Sequence, residues 1–533
     1  MIKRRSLLKS MGLATALNPL LHATRSRAES GAFNHILCTC SHSQIAVTLS
    51  THEVMHAPTL RCGNAQVMGH MIDSEGKHWR FQVEALEAAK EYSLQVFDDG
   101  KKIGEAWPLR TFPAPDALPD QFKLLSYTCA GGGDGFGFMG RQYFKPLAFK
   151  RRLLASALAE KPDAGLAIGD HVYWDLRGQG IPQIGRKKPL LKWALGHYLR
   201  WKFGEFDRSA EMIGTDNEPV LKAIGQEQIA ALYGTDFKSV PMFFVGDDHD
   251  YFENDDAEKD LVTFPADAFS KRAAKAMADL YYPALLEGPE TGDGRLAGRL
   301  RYGQLFDGVL LDCAGGLTLG EDARLVPASI EQWAIEICAE SSATHFALIP
   351  SHPLGYTAGK WREWYPDVVA EAGADTVSNE LLGETKGTLG MNADKYLWQK
   401  GWWAQHQRLL GALAAKEGSK FMVSGDIHAL AAERITHSGD LDLSERPVVS
   451  LLSGPVSSSD ATWPSSARGI QAGIPTWLKA ETLVPVTEVN GYTMIEITED
   501  SVSMHLRDCG GYDRSLNETG EVLRSTTIKV GGV

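Results

Sequence analysis

The run Gly165-Leu166-Ala167-Ile168-Gly169-Asp170-His171-Val172-Tyr173 decides how this chain is read. Three apolar residues stop abruptly at Gly-Asp, and the helical spacing of Leu153 to Ala159 leads into them. The same order recurs downstream. Gln226 to Tyr233 leads into Pro241-Met242-Phe243-Phe244-Val245, Glu331 to Ala339 into His345-Phe346-Ala347-Leu348-Ile349, and Gln407 to Lys416 into Lys420-Phe421-Met422-Val423. A further run, Lys123 to Cys129, comes first. Short apolar strands that come after helices predict an α/β layered domain over residues 121–533. In such sheets ligands collect beyond the carboxyl ends of the strands.

The residues at the end of each run carry chemistry. The ends read Thr128-Cys129-Ala130-Gly131-Gly132-Gly133, Gly169-Asp170-His171-Val172-Tyr173, Gly246-Asp247-Asp248-His249-Asp250, Pro350-Ser351-His352-Pro353 and Ser424-Gly425-Asp426-Ile427-His428. Taken singly, Gly-Asp is a turn, a histidine is a satisfied polar residue, and a buried cysteine is a small hydrophobe. Together they bring Cys, Asp, Tyr and His to one rim. Carboxylates crowded there repel one another unless cations neutralise them, which predicts a metal site.

Before residue 121 the pattern is that of strands. Gln44 to Leu49, His78 to Val83 and Tyr92 to Phe97 alternate, and Asp98-Asp99-Gly100 is a hairpin turn. Leu86 to Phe97, followed by Arg110-Thr111-Phe112-Pro113, resembles the end of a fibronectin-III-like module. The expectation is a small all-β sandwich over 30–115, joined to the α/β domain by a stiff linker at Pro113, Pro115 and Pro119. The segment 175–217, with Arg186-Lys187-Lys188, Trp193 and Trp201, has no place in the helix–strand alternation. It is read as an insertion or lid, or else as a solvated excursion.

Residues 1–28 stand apart. Lys3-Arg4-Arg5-Ser6-Leu7-Leu8-Lys9 precedes a modest apolar stretch from Met11 to Ala23, then Ser26-Arg27-Ala28, with no acid before Glu29. The stretch is too short, and too broken by Asn18 and Pro19, to span a bilayer. It resembles a twin-arginine signal peptide, which predicts export by the twin-arginine machinery to the periplasm or beyond. No other run is apolar enough to span a membrane. A formal net charge of -13 argues against bulk nucleic-acid binding. Seven cysteines in 533 residues do not make a disulfide scaffold, and Cys129 is the candidate left without a disulfide partner.

The order Gly-Asp-x-x-Tyr, Asp-Asp-His-Asp, Ser-His, Gly-Asp-x-His resembles the calcineurin-like metallophosphoesterase superfamily, and within it the PhoD-like alkaline phosphatase family. That family is marked by a Cys after the first strand and by Asp in the Asp-Asp-His and Gly-Asp-x-His motifs; all three features occur here. The chain departs from it at Gly246, where a bulky residue is usual, and at Thr128-Cys129-Ala130. The resemblance implies a layered β-sandwich-type metallophosphoesterase domain with flanking helices and two metal ions. One ion, Fe3+, would sit on Cys129, Asp170, Tyr173 and His428. Asp170 would bridge to a second, divalent ion on Asp248, His352 and Asp426, where carboxylates favour Ca2+ over Zn2+ or Mn2+. The implied activity is hydrolysis of phosphate mono- or diesters by in-line attack of metal-bound hydroxide. His249 would protonate the departing oxygen, while Asp247, Asp250 and Asn254 would orient the ligands.

Arg141 and Arg177, with Lys187, are candidates to clamp the phosphate of the substrate. The Gly-rich loop after Cys129 lacks a P-loop's Gly-Lys-Ser; it is read as a phosphate-approaching loop or as plain surface. Two other readings compete: an envelope-binding protein whose metal centre is structural or vestigial, and a metallohydrolase acting on carboxyl esters.

Overall fold

Asp99 and Gly100 both take positive φ, +47° and +76°, so a two-residue turn closes the hairpin where Asp-Asp-Gly predicts it. The strands on either side belong to a computed structural model of the chain. It describes residues 31–138, 141–173, 201–251, 266–289, 295–318, 323–356, 368–369, 388–389, 400–467, 472–474, 478–510 and 520–530. The signal-like segment 1–28 and residues 175–200 of the expected insertion or lid lie outside these residues.

Eight strands come first: β1 (Phe33–Cys40), β2 (Ile45–Thr51), β3 (Thr59–Cys62), β4 (Ala65–Met68), β5 (His70–Met71), β6 (His78–Val83), β7 (Glu91–Asp98) and β8 (Lys101–Arg110). They form two four-stranded sheets, β1-β2-β6-β5 and β4-β3-β7-β8. Every pairing within them is antiparallel.

Two larger sheets come next. β9 (Gln121–Thr128), β12 (Ala164–Ile168) and β13 (Met242–Val245) run parallel, in the order β13-β12-β9. β24 (Gly491–Thr498), β25 (Ser501–Asp508) and β26 (Arg524–Val530) continue that sheet antiparallel from β9. The second sheet has a parallel centre of β15 (Phe306–Leu311), β16 (His345–Pro350), β19 (Ser419–Ser424) and β22 (Val448–Ser453). β14 (Ala297–Tyr302) flanks it on one side. β20 (Leu430–Ser438), β21 (Leu441–Asp442) and β23 (Leu478–Thr487) lie on the other. Two short pairs, β10 (Phe136–Phe138) with β11 (Arg141–Tyr143) and β17 (Val368–Val369) with β18 (Thr388–Leu389), stand alone.

The sheets face each other. Phe122 of β9 stacks on Tyr302 of β14 at 4.2 Å between ring centroids, and the hydroxyls of Ser126 and Ser453 meet at 2.7 Å. Helices cover the outer faces. α1 (Leu147–Ala159), α2 (Asn217–Gly225) and α3 (Ala268–Tyr281) bury Leu153, Leu154, Leu221, Ile224 and Leu280 with Leu125 and Tyr127 of β9. α4 (Ala328–Glu340) and α5 (Lys400–Ala414) bury Ile330, Ala334, Leu410 and Leu413 with Phe346, Leu348 and Met422. Leu410 is wholly buried, and its truncation to alanine would cost about 2–5 kcal/mol. This is a mixed α/β structure of helix, sheet, sheet, helix.

The first eight strands share one compact unit with everything after them. Polar contacts stitch the seam: Lys222 Nζ lies 2.6 Å from Asp73, Ser74 N donates to Glu218 at 3.0 Å, and Arg80 donates to Asp279 at 3.0 Å. All seven cysteines are buried free thiols. Among the described residues no helix is long and apolar enough to cross a membrane.

Candidate metal centre

Backbone strain marks the rim. Cys129, Asp170, Asp426 and His428 all take positive φ, at +49°, +55°, +70° and +50°. Few residues other than glycine adopt this conformation, and it persists where the surroundings over-determine it. Here the strand ends lock one another. Cys129 N donates to Gly169 O, Gly131 N to Asp170 O, and Gly425 N to Ser351 O. Thr128 Oγ1 donates to Ile168 O at 2.5 Å and accepts from Asp426 N at 3.1 Å. Gly425 is demanded by crowding: a Cβ there would sit 2.3 Å from Thr128 Oγ1 and 2.5 Å from Ile168 O.

These ends gather the first group of donors. Asp170 Oδ2 lies 3.2 Å from Cys129 Sγ, 3.0 Å from the Tyr173 hydroxyl and 3.7 Å from His428 Nε2. Tyr173 and His428 approach at 3.3 Å. A thiol, a carboxylate, a phenol and an imidazole thus converge, all of them buried. Burial, then the charge of Asp170, pushes the Cys129 thiol well above its usual pKa. A thiolate at this position therefore requires a cation beside it.

Two further groups adjoin. Asp170, Asp248 and His249 form one; Asp247, His352 and Asp426 form the other, with donor atoms within 4.8 Å of one another in each. Asp170 belongs to two of the three groups, which is the placement a bridging ligand needs. His352 Nδ1 is held by Asp247 Oδ1 at 2.7 Å, leaving Nε2 facing Asp426 Oδ2 at 3.5 Å. Ser351 Oγ donates to the same Asp247 oxygen at 3.0 Å. A carboxylate that fixes one imidazole nitrogen and frees the other for a metal is a common arrangement behind metal ligands. Asp250 holds the Asp170 loop, accepting from His171 N and Val172 N at 2.9 Å and from Asp247 N at 3.0 Å. The His249 ring lies 4.6 Å from that of Tyr173.

Asp170, Asp247, Asp248, Asp250 and Asp426 are all buried within this one cluster, with His249, His352 and His428 among them. Burying like charges together is costly without cations, so the donor set fits metal ions. Of the other expected site residues, Arg141 opens β11, its side chain lying outside the described residues, as do Asn254, Arg177 and Lys187.

Several supporting residues escaped the sequence reading. Ser458 Oγ is hydrogen-bonded to His428 Nδ1 at 2.5 Å, and Asn490 holds the Ser458 carbonyl at 2.9 Å. Ser458 lies five residues beyond the apolar strand β22, so the strand-end rule extends to it. Gln228 accepts from Gly132 N at 2.7 Å and from Tyr173 N at 3.0 Å. It sits in a π-helical turn, Gln226–Ala230, continuing α2. The buried Lys150 of α1 donates to the carbonyls of Gly131 and Gly133 at 3.0 and 2.5 Å. Nothing local in the sequence signals either of these two.

No family model matches the chain, and no curated protein matches it. Solved structures do. A structure of PhoD superposes with a TM-score of 0.56 at 13% identity, covering 94% of this chain and 90% of the other. A purple acid phosphatase isolated from yellow lupin (Lupinus luteus) seeds gives 0.51 at 10% identity, covering 93% and 74%. At these identities the likeness is one of fold: the chain has a fold similar to those of PhoD and the purple acid phosphatase.

Proposed function

We propose that this protein is an exported phosphoesterase working at a dinuclear metal centre. The convergence of Cys129, Asp170, Tyr173 and His428 carries this reading, because an anionic sulfur and phenolate suit a ferric ion. A second divalent ion, calcium before zinc or manganese, would sit on Asp170, Asp248, His352 and Asp426, the set expected from the sequence. Asp170 and Asp248 group with His249, and His352 and Asp426 group with Asp247, which orients His352. Such a pair supplies positive charge against the phosphoryl oxygens and acidifies a water for in-line attack.

The chain's own residues do the rest. Tyr173 and Cys129 are the hard and soft anionic donors of the iron position. Asp247, itself held by Ser351, keeps His352 in one tautomer; Ser458 holds the ring of His428 through a hydrogen bond at Nδ1. His249, beside Asp170 and Asp248, is assigned proton delivery to the departing oxygen. Burial of the cluster keeps the field of these charges unscreened by water.

The order of the first two sheets, and a Tyr92 hydroxyl that accepts from Glu87 N at 2.8 Å, support a fibronectin-III-like sandwich over 30–115. Export through the twin-arginine route rests on Arg4 and Arg5, and replacing both with Lys tests it by fractionation. For the chemistry, purified protein supplied with iron and calcium should cleave p-nitrophenyl phosphate or its bis-ester. Cleavage of neither, with both metals bound, would count against the proposal.

A further inference from the structure

We propose that a basic cavity beside the metal centre is a second binding site, for a phosphate dianion. The cavity has a volume of about 590 Å3 and lies between α3, the turn at Gly315-Gly316 and Arg80 of β6. Among the described residues, five cationic side chains, Arg80, Lys271, Arg272, Lys275 and Arg295, line it against a single carboxylate, Asp279. In a chain of net charge -13 this is a reversal of sign.

Asp279 is already shared among three cations. Arg80 Nη1 approaches it at 3.0 Å, Lys275 Nζ at 2.6 Å and Arg295 Nε at 3.6 Å. Lys271 and Arg272 add to the excess. Asp312, which lines the adjoining small pocket, is taken up by the Tyr251 hydroxyl at 2.6 Å and by the N–H groups of Ala314 and Gly315 at 2.9 and 2.8 Å. The Nε atoms of Arg80 and Arg272 are buried and make no hydrogen bond. What points to an anion is the excess of positive charge on the lining, whose guanidinium and ammonium groups are charge-assisted donors suited to an oxyanion.

The site is separate from the metal cluster, since none of the proposed metal ligands lines it. It is nonetheless adjacent: Tyr251 and Arg295 also line a small pocket that reaches Gly246 and Asp250 behind the ligand-bearing turn. The volume falls in the range of small-molecule sites and exceeds what a bare phosphate fills. Leu285, Leu296 and Pro327 offer apolar surface to an organic group. The shared chemistry is therefore a phosphate dianion, free or as the head of an ester.

Calorimetric titration with inorganic phosphate tests this on the metal-loaded protein. Wild type should show two classes of site, and the double variant Lys271→Ala/Arg272→Ala should lose one, weakened by at least about tenfold. Circular dichroism confirms folding of the variant, whose changes leave Arg80, Lys275 and Arg295 on Asp279. Asp170→Asn protein should keep the class that the double variant loses. In that background, phenyl phosphate binding tighter than inorganic phosphate assigns an ester; equal affinity assigns the free ion. A single class in wild type that the double variant removes still supports the cavity and counts instead against phosphate at the metal centre. Phosphate binding that the double variant leaves unchanged overturns the proposal.

Discussion

Ser458 touches no expected reactive atom, yet its hydroxyl fixes the ring of His428 from the far nitrogen at 2.5 Å. Loss of such support behind a metal ligand costs about 10–100-fold in metal affinity or activity. Ser458→Ala is predicted to lower iron affinity or turnover by that factor, with Ser458→Thr recovering most of it; equal iron affinity and equal turnover in wild type and Ser458→Ala would contradict this. Glu433 of β20 is a different kind of residue. Its buried carboxyl makes no hydrogen bond, and burial pushes its pKa from 4.5 to about 9. The folded chain thus keeps a proton that the unfolded chain releases near 4.5, so the folded state binds more protons between these values. Stability contributed at low pH is lost as pH rises through that window. Glu433→Gln should remove this slope, so its melting temperature gains on wild type as pH climbs from 5 to 9; parallel curves would rule it out.

At the scale of elements, the site is five strand ends clamped together, and glycine permits the clamp. Gly425→Ala puts a methyl against Thr128 and the backbone of Ile168. The expected loss is about 1–3 kcal/mol in denaturant unfolding, with a disproportionate loss of metal because Asp426 and His428 come directly after it. A stability and metal content equal to wild type would show that the ends are not clamped. The same elements show how much was legible in the sequence. The apolar runs at 124–128, 165–168, 242–245, 345–349 and 420–423 are strands, each parallel to a neighbour, because continuous apolar runs are what a sheet covered on both faces requires. Their terminal motifs named Cys129, Asp170, Tyr173, His352, Asp426 and His428, which the structure brings together. Adjacent carboxylates were harder: periodicity does not say which of Asp247 and Asp248 faces His352, and the turn at 248–250 places Asp247 against it. Gln228 and Lys150 were illegible because their partners are backbone atoms supplied by a distant loop. The antiparallel extension by β24, β25 and β26 was equally hidden, since β9 pairs with a strand some 370 residues later.

Across the whole molecule, the first two sheets are fixed to the helices over a polar seam. Lys222 contacts Asp73 at 2.6 Å and Glu218 at 2.9 Å; Asp73 is wholly buried and held well below the usual carboxylate range, against the cost of burial, by His78 and Lys222. Lys222→Met would leave both carboxylates buried without their cation, a loss of about 3–5 kcal/mol seen as a lower melting temperature. An unchanged melting temperature would mean that the seam contributes nothing to stability. Buried carboxylates without cations would likewise burden the proposed metal centre. Elemental analysis of the purified protein, beside its Asp170→Asn variant, therefore tests the dinuclear centre most directly. Two metal ions per chain, iron among them, with at least one lost in the variant together with hydrolysis, is the predicted result. Full hydrolytic activity in metal-free protein, or two ions retained in Asp170→Asn, would contradict it.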